Sequence, residues 1–283
     1  MSGNRNPLKR GLPGSRGKTW LLESLALLRA QTGRLLFIAV VMQVILGLSQ
    51  VPFLGILVIL SVPAMGAGLL EAFHVTARGG MPALGLLFKP LSTPECRGRL
   101  LGMGALVFFI AVITISILLP ASGSMPDEAL LMRLQQGDVE ALSELDPAFV
   151  SNLMMAFVIS IGISGTLSYM AIPLVWFHRR RLWPALGHGM KALLVHWRPF
   201  LVMGVGIMVL FIPVALLTSV LLQLTAAGGV IAMIATGFMM ILLLLFQLVL
   251  FGTQYCAARD IFGLGQDEQP LEPVDAPDDQ LVA

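Results

Sequence analysis

The chain has 283 residues, a mean hydropathy of +0.86, 12% charged residues and a net charge of +2. An ordinary soluble domain carries roughly 25% charged residues, so a water-soluble fold could not cover this much apolar surface, and lipid must do it. The apolar runs are long and continuous rather than ~10-residue alternating segments, which excludes a transmembrane barrel and leaves an all-α, polytopic membrane helical bundle.

In chain order, residues 1–17 are basic and contain Gly and Pro, and disorder is expected there. Residues 19–32, TWLLESLALLRAQT, place Trp20, Leu21, Leu25 and Leu28 on one face. This predicts a short interfacial helix anchored by Trp20, the alternative being an extension of the first span. Span 1 is expected over 35–51 and span 2 over 53–75, with an outer turn at Pro52-Phe53-Leu54-Gly55 and Pro63 as a kink. Span 3 covers 100–119 and is stopped by Pro120. The segment 120–148 is the one long polar loop, in which the stretch from Pro126 to Leu145 has good helix formers. Span 4 covers 149–177 and ends before His178-Arg179-Arg180-Arg181. An amphipathic connector follows, with Leu182, Leu186, Leu193 and Trp197 on its apolar side and His188 and Lys191 on its polar side. Span 5 covers 199–222 and span 6 covers 230–255; the acidic, Pro-rich tail 263–283 is expected to be disordered. The first 18 residues carry five cations and lead into a multi-span chain, unlike a cleavable signal peptide.

Seventeen of the 18 Lys and Arg residues fall on one side of this map, and Arg133 alone falls on the other. Cations mark the cytosolic face, so both termini are expected in the cytosol and 120–148 in the periplasm of a bacterial inner membrane.

Residues 82–89, PALGLLFK, match 184–191, PALGHGMK, at five of eight positions and an offset of 102. Each copy follows a span ending in Phe-His, at Phe73-His74 and Phe177-His178. With the Trp20 segment, this suggests three repeated hairpin units, each made of an amphipathic segment, a span, an outer turn and a span. The alternative is a chance match in a compositionally narrow sequence. The Trp20 segment, the two PALG connectors and Trp183/Trp197-Arg198-Pro199 resemble a family of proteobacterial six-span inner-membrane proteins, over roughly 18–262. A looser likeness is to the membrane-embedded halves of some glycerophosphodiester phosphodiesterases. The resemblance implies an envelope location and no particular activity.

Glu71 and His74 lie three apart at the inner end of span 2 and share a helix face. A di-metal bundle uses this Glu-x-x-His spacing but needs two copies, and the residue three before His178 is Val175. The readings left for Glu71 are an interfacial ion pair with His74 or Arg78, or an intramembrane proton-titrating or substrate-contacting site. Gln43 and Gln247 are candidate interhelical glue. The four histidines, His74, His178, His188 and His196, sit at the cytosolic edge, where ordinary interface residues or a pH sensor would be found. Small residues at helical spacing, Ala64/Gly68/Ala72, Ala156/Ser160/Ser164/Ser168 and Gly228/Ala232/Thr236, predict close helix packing.

Arg179, Arg180, Arg181, Lys191 and Arg198, with Trp183 and Trp197, form a candidate lipid-contact surface. Cys96 and Cys256 give no disulfide framework and no metal spacing. No nucleophile-elbow, phosphate-loop or zinc-protease motif is present. The expected function is therefore non-enzymatic, organising or sensing membrane lipid or assisting envelope assembly, with a small-solute or lipid transporter as the alternative. The expected partners are membrane lipids, anionic ones included, with a protein contact at 120–148; neither nucleic acid nor a cofactor is expected.

Reporter fusions check the orientation. Tags before residue 10 and at residue 283 should report the cytosol, and a tag near Gly137 the periplasm. A periplasmic signal from either terminus overturns the map.

Overall fold

The computed structural model describes residues 11–51, 54–119, 126–135, 141, 144–225 and 228–264. Of the expected disorder at 1–17 and 263–283, residues 1–10 and 265–283 lie outside these residues, as do 52 and 53 of the turn at 52–55. The helices are α1 (Arg16–Ala30), α2 (Thr32–Gly47, extended by a 3-10 turn at Leu48–Gln50), α3 (Leu54–Ala77), α4 (Lys89–Ser92), α5 (Pro94–Leu118), α6 (Glu128–Gln135), α7 (Pro147–Trp176), α8 (Leu182–Val195), α9 (Trp197–Thr225) and α10 (Gly229–Phe262). Another 3-10 turn, Leu84–Leu87, precedes α4. No strand occurs among the described residues.

Among the described residues six helices are long and apolar enough to cross a membrane: α2 with its 3-10 extension, α3, α5, α7, α9 and α10. The chain is an all-α multi-pass membrane protein with the spans in the expected order. The helices outrun the apolar runs. α5 starts at Pro94 and carries Arg97 and Arg99 inside it, and α10 continues to Phe262 through Arg259 and Asp260. A charge ends a hydrophobic run but does not end a helix, because Arg is a good helix former.

The chain forms two compact units, the first from 1–44, 65–90 and 192–283, the second from 45–64 and 91–191. The division of α3 falls beside Pro63.

In the first unit α1 packs against α9 and α10, which also pack on each other. Backbones meet at glycines. Gly17 lies so close to the Pro199 carbonyl and the Met203 amide that a Cβ would overlap them. A Cβ on Gly252 would meet Ser24 Oγ and, at 2.9 Å, the Phe73 ring. Ser24 Oγ donates to the Val249 carbonyl at 2.9 Å. α2 buries Leu35, Ile38, Ala39 and Met42, one helical stripe. Trp20 is fully buried, with its ring 5.4 Å from that of Phe200. This corrects the reading of Trp20 as a headgroup anchor: the helix is a docked element, and its deepest residues include Ser24, a polar position that a hydrophobic pattern passes over.

In the second unit α5 packs against α7. Gly104 of α5 abuts the Leu60 carbonyl, leaving no room for a Cβ. Gly189 of α8 lies against Met170 and Ala171 of α7. α8 buries Ala185, Leu186, Gly189 and Ala192, whereas Leu182 and Leu193 are half-buried. The expected Leu-rich face is therefore rotated toward the small residues, which allow the closer approach. Trp197 is exposed and opens α9 in the first unit instead of closing the connector. In sequence between α5 and α7, α6 lies within the expected 126–145 helix, of which 136–140, 142 and 143 lie outside the described residues, and Arg133 bridges to Glu144 at 2.8 Å.

The stripe Ala64, Gly68, Ala72 is buried, as are Ala156, Ser160 and Ser164; Ser168 is half-buried. Gly228 and Thr236 are exposed, and Ala235 is the buried residue there.

The two PALG connectors differ in local structure: 84–87 is a 3-10 turn and 184–191 lies within α8. Gly79 and Gly80 precede the first, and Pro90 and Pro94 follow it closely, which removes amide donors and keeps it short. The second has no proline after Pro184 until Pro199 and runs on as a helix. One contact nevertheless occurs at equivalent places. Gly68 of α3 lies against the backbone of Leu86 and Leu87, and Met170 of α7 lies against Gly189. Positions 68 and 170 are 102 apart, as are 87 and 189, and the glycine sits on the span in one pair and on the connector in the other.

Gly252→Leu should drive a side chain into Ser24 and Phe73. Overpacking of this kind costs about 1–3 kcal/mol, read as a lower thermal unfolding midpoint in detergent. Gly237→Leu, where a Cβ meets nothing within 4 Å, should leave the midpoint unchanged or higher.

Candidate functional site

A polar cluster lies in the first unit, where α1, the end of α3, the start of α4 and the last turns of α10 supply charged side chains. Helical spacing arranges it. Arg16, Trp20 and Glu23 share one face of α1, Glu71 and His74 one face of α3, and Tyr255 and Arg259 one face of α10. Asp260 Oδ2 accepts from Arg16 Nε at 2.7 Å and from Trp20 Nε1 at 3.0 Å. The bond to Asp260 holds the Arg16 guanidinium above its ordinary pKa, against the opposing effect of burial. Arg259 pairs with Glu23, and its guanidinium lies 5.9 Å from the Tyr255 ring centre.

Glu71 pairs with Lys89 at 2.6 Å, a partner eighteen residues further on. His74 Nδ1 and Tyr255 Oη share a hydrogen bond of 3.1 Å. The Glu71 side chain is 11% exposed and that of Lys89 is 49% exposed. The acid is thus inside while its counter-charge reaches outward on a long stem. Each carboxylate of the cluster has a cation within bonding distance, an arrangement that clamps helices together. Among the described residues no three His, Cys, Asp or Glu side chains converge as metal ligands.

Gln43 Nε2 donates to Gln247 Oε1 at 2.8 Å, joining α2 to α10. Along α10, Gln247 is about 12 Å from Tyr255 at 1.5 Å per residue, so the glutamine pair and the Glu71–His74 group are separate features. The histidines divide similarly: His196 is buried, and His188 Nδ1 lies 2.6 Å from the Pro184 carbonyl.

Of the basic residues expected to meet lipid, Arg179, Arg180, Arg181 and Lys191 lie in the second unit with Trp183, and Arg198 lies in the first with Trp197. Arg179 is exposed but makes contacts within the protein. It is a non-glycine residue with φ +53°, its guanidinium sits 4.9 Å from the Trp176 ring centre, and it donates to Cys96 Sγ at 2.8 Å. Arg99 holds the same corner by donating to the carbonyls of Arg179 and Arg180. Arg181, Trp183 and Lys191 are exposed and Arg180 is half-buried. In the first unit Arg198 stacks over Trp197 at 5.5 Å, both exposed.

The chain matches no protein-family model, no curated protein and no solved structure.

Sequence reasoning missed Lys89, Tyr255 and Asp260 as members of the cluster. One signal was present: Asp260 is the first acidic residue after Asp146, and it closes a span directly after Arg259. The pairing of residues 16 and 20 with 260 is a tertiary fact that no local pattern carries.

Asp260→Ala should leave Arg16 and the Trp20 indole without their shared acceptor. The expected cost is about 1–3 kcal/mol, seen as a lower unfolding midpoint and faster proteolysis within α1. Arg16→Ala added to Asp260→Ala should cost less than the sum of the two single changes; strict additivity would show that the pair is not coupled.

Proposed function

We propose that this chain is a bacterial inner-membrane protein with both termini in the cytosol, which organises or senses membrane lipid or assists envelope assembly without catalysing a reaction. The observation that carries the reading is the exposed basic face of the second unit. Arg181 and Lys191 are exposed beside Trp183, which is 73% exposed. Among the described residues neither Arg180, Arg181 nor Lys191 takes part in an ion pair. These cations are therefore available to something outside the fold. Next to a membrane span, anionic headgroups are the natural counter-charge, at about 1 kcal/mol per cation near the surface. Arg198 and Trp197 offer the same chemistry in the first unit.

The internal repeat belongs to this proposal. The match of 82–89 with 184–191 is supported by the equivalent close contacts at 68/87 and 170/189, although the connectors themselves fold differently. The resemblance to six-span proteobacterial proteins agrees with the location. The loop 120–148 is the proposed contact for a protein partner. Transport of a small solute or a lipid is the second reading, favoured by the prolines inside three spans, Pro63 in α3, Pro173 in α7 and Pro213 in α9.

Replacing Arg180, Arg181 and Lys191 together with Gln should lower the anionic lipid that survives purification, measured by native mass spectrometry in one detergent. Insertion and orientation should persist, because fourteen of the seventeen cations assigned to the cytosolic side are untouched. Equal anionic lipid in wild type and mutant would reduce these residues to topology signals.

A further inference from the structure

We propose that the second unit holds one acyl chain of an anionic phospholipid in a groove between α7 and α8, with the headgroup at the Arg180–Arg181 and Lys191 cations. This deepens the lipid-organising reading above and rests on it.

The groove has a volume of about 590 Å³ and is lined by Ile159, Gly162, Ile163, Thr166 and Leu167 of α7 and by Met190 of α8. Residues 159, 163 and 167 are successive i, i+4 positions, and 162 and 166 lie beside them, so the groove runs along the helix axis. From 159 to 167 it follows α7 for about 12 Å at 1.5 Å per residue. Thr166 is the polar member of the lining, and its hydroxyl already donates to the Gly162 carbonyl at 2.7 Å. The surface therefore asks nothing of its occupant except apolar volume in the shape of a rod.

The groove is shallow and open above Gly162. A Cβ at Gly162 would meet nothing within 4 Å, so the space above it is open. On the other side, Gly189 brings α8 against Met170 and Ala171, and that contact sets the adjacent Met190 as the far wall.

Charge selects the headgroup. Lys191 follows Met190 directly and is exposed, and Arg180 and Arg181 lead into α8, so the helix that walls the groove carries one cation and is preceded by two. From 147 to 259 the sequence has no Asp or Glu. These cations thus have no acid of their own segment to pair with, and an anionic headgroup supplies the missing charge. A second membrane helix would fill the same apolar space, but it would leave the cations unmatched.

The test uses the full-length protein with phosphatidylglycerol and phosphatidylcholine of identical acyl chains. The wild type, Gly162→Leu, Gly237→Leu and the Arg180/Arg181/Lys191→Gln triple variant are delipidated and re-supplied with each lipid. Native mass spectrometry then counts the retained molecules. Gly162→Leu fills the groove without a clash and favours the helix, so it is expected to fold; the unfolding midpoint checks this. Gly237→Leu adds the same side chain to α10, outside the groove.

Wild type and Gly237→Leu should retain one phosphatidylglycerol in preference to phosphatidylcholine. Gly162→Leu should weaken that adduct at least roughly tenfold, and the triple variant should lose the preference between the two lipids. If Gly162→Leu retains phosphatidylglycerol like the wild type while the triple variant does not, the groove is overturned and the surface reading survives. If neither changes, both fall. Equal retention of the two lipids by the wild type overturns the headgroup assignment. A change of oligomeric state in Gly162→Leu would mark the groove as a helix–helix contact and overturn its assignment to lipid.

Discussion

Inside a bilayer, apolar side chains gain nothing by leaving lipid for one another, so these helices must be held by close backbone contact and by polar bonds that lipid cannot offer. That constraint explains which residues are deepest. Gly17, Gly252, Gly104 and Gly189 stand where a Cβ would strike a neighbour's backbone or side chain. Ser24, which a water-soluble core would seldom bury, is fully enclosed and spends its hydroxyl on the Val249 carbonyl. The large aliphatic residues, by contrast, cover the outward faces of α5, α7 and α9. α3 is the most enclosed span, with 67% of its apolar window buried against 6–22% in the others. It carries a buried small-residue stripe, Ala64, Gly68 and Ala72, as α7 does with Ala156, Ser160 and Ser164.

The charged residues obey the same constraint. An ion taken out of water is tolerated when a partner is held against it, and removing one partner is far costlier than never having had the pair. In the first unit Glu71, Glu23 and Asp260 are each matched to a cation from a different part of the chain. The result ties the N-terminal helix to the last turns of the final span, which the Asp260 bonds to Arg16 and Trp20 make specific in register. In the second unit Arg179 finds an aromatic face and a thiol instead of an acid, and Arg181 close by is exposed. The second unit exposes Arg181 and Lys191 on the helix that walls the groove, which is why the lipid proposal attaches there.

Among the sequence expectations that went astray, Trp20 and the α8 face share a cause. Both were read as amphipathic helices whose large apolar residues mark the buried side. Trp20 is buried against protein rather than headgroups, and α8 turns its Ala and Gly positions inward. The hydrophobic pattern distinguishes apolar from polar, but at a membrane surface both lipid and protein are apolar, so the pattern cannot say which of the two a side chain meets. The PALG segments show a related limit: five shared residues of eight did not fix local structure, because prolines outside the match decided whether a helix could continue.

The number and order of the spans, and the all-α class, were determined by the sequence alone, because the length of an apolar run and the need to satisfy every backbone group in lipid leave a helix as the available solution. Candidate polar residues were also visible there, since Glu71 and His74 are conspicuous in an apolar span. What only the tertiary structure decided was pairing: Lys89 for Glu71, Tyr255 for His74, Gln247 for Gln43, and Asp260 for two residues some 240 positions away. The groove over Gly162 is of the same kind. A glycine in a span reads identically whether a neighbouring backbone or open space lies above it, and only the packed helices separate the two.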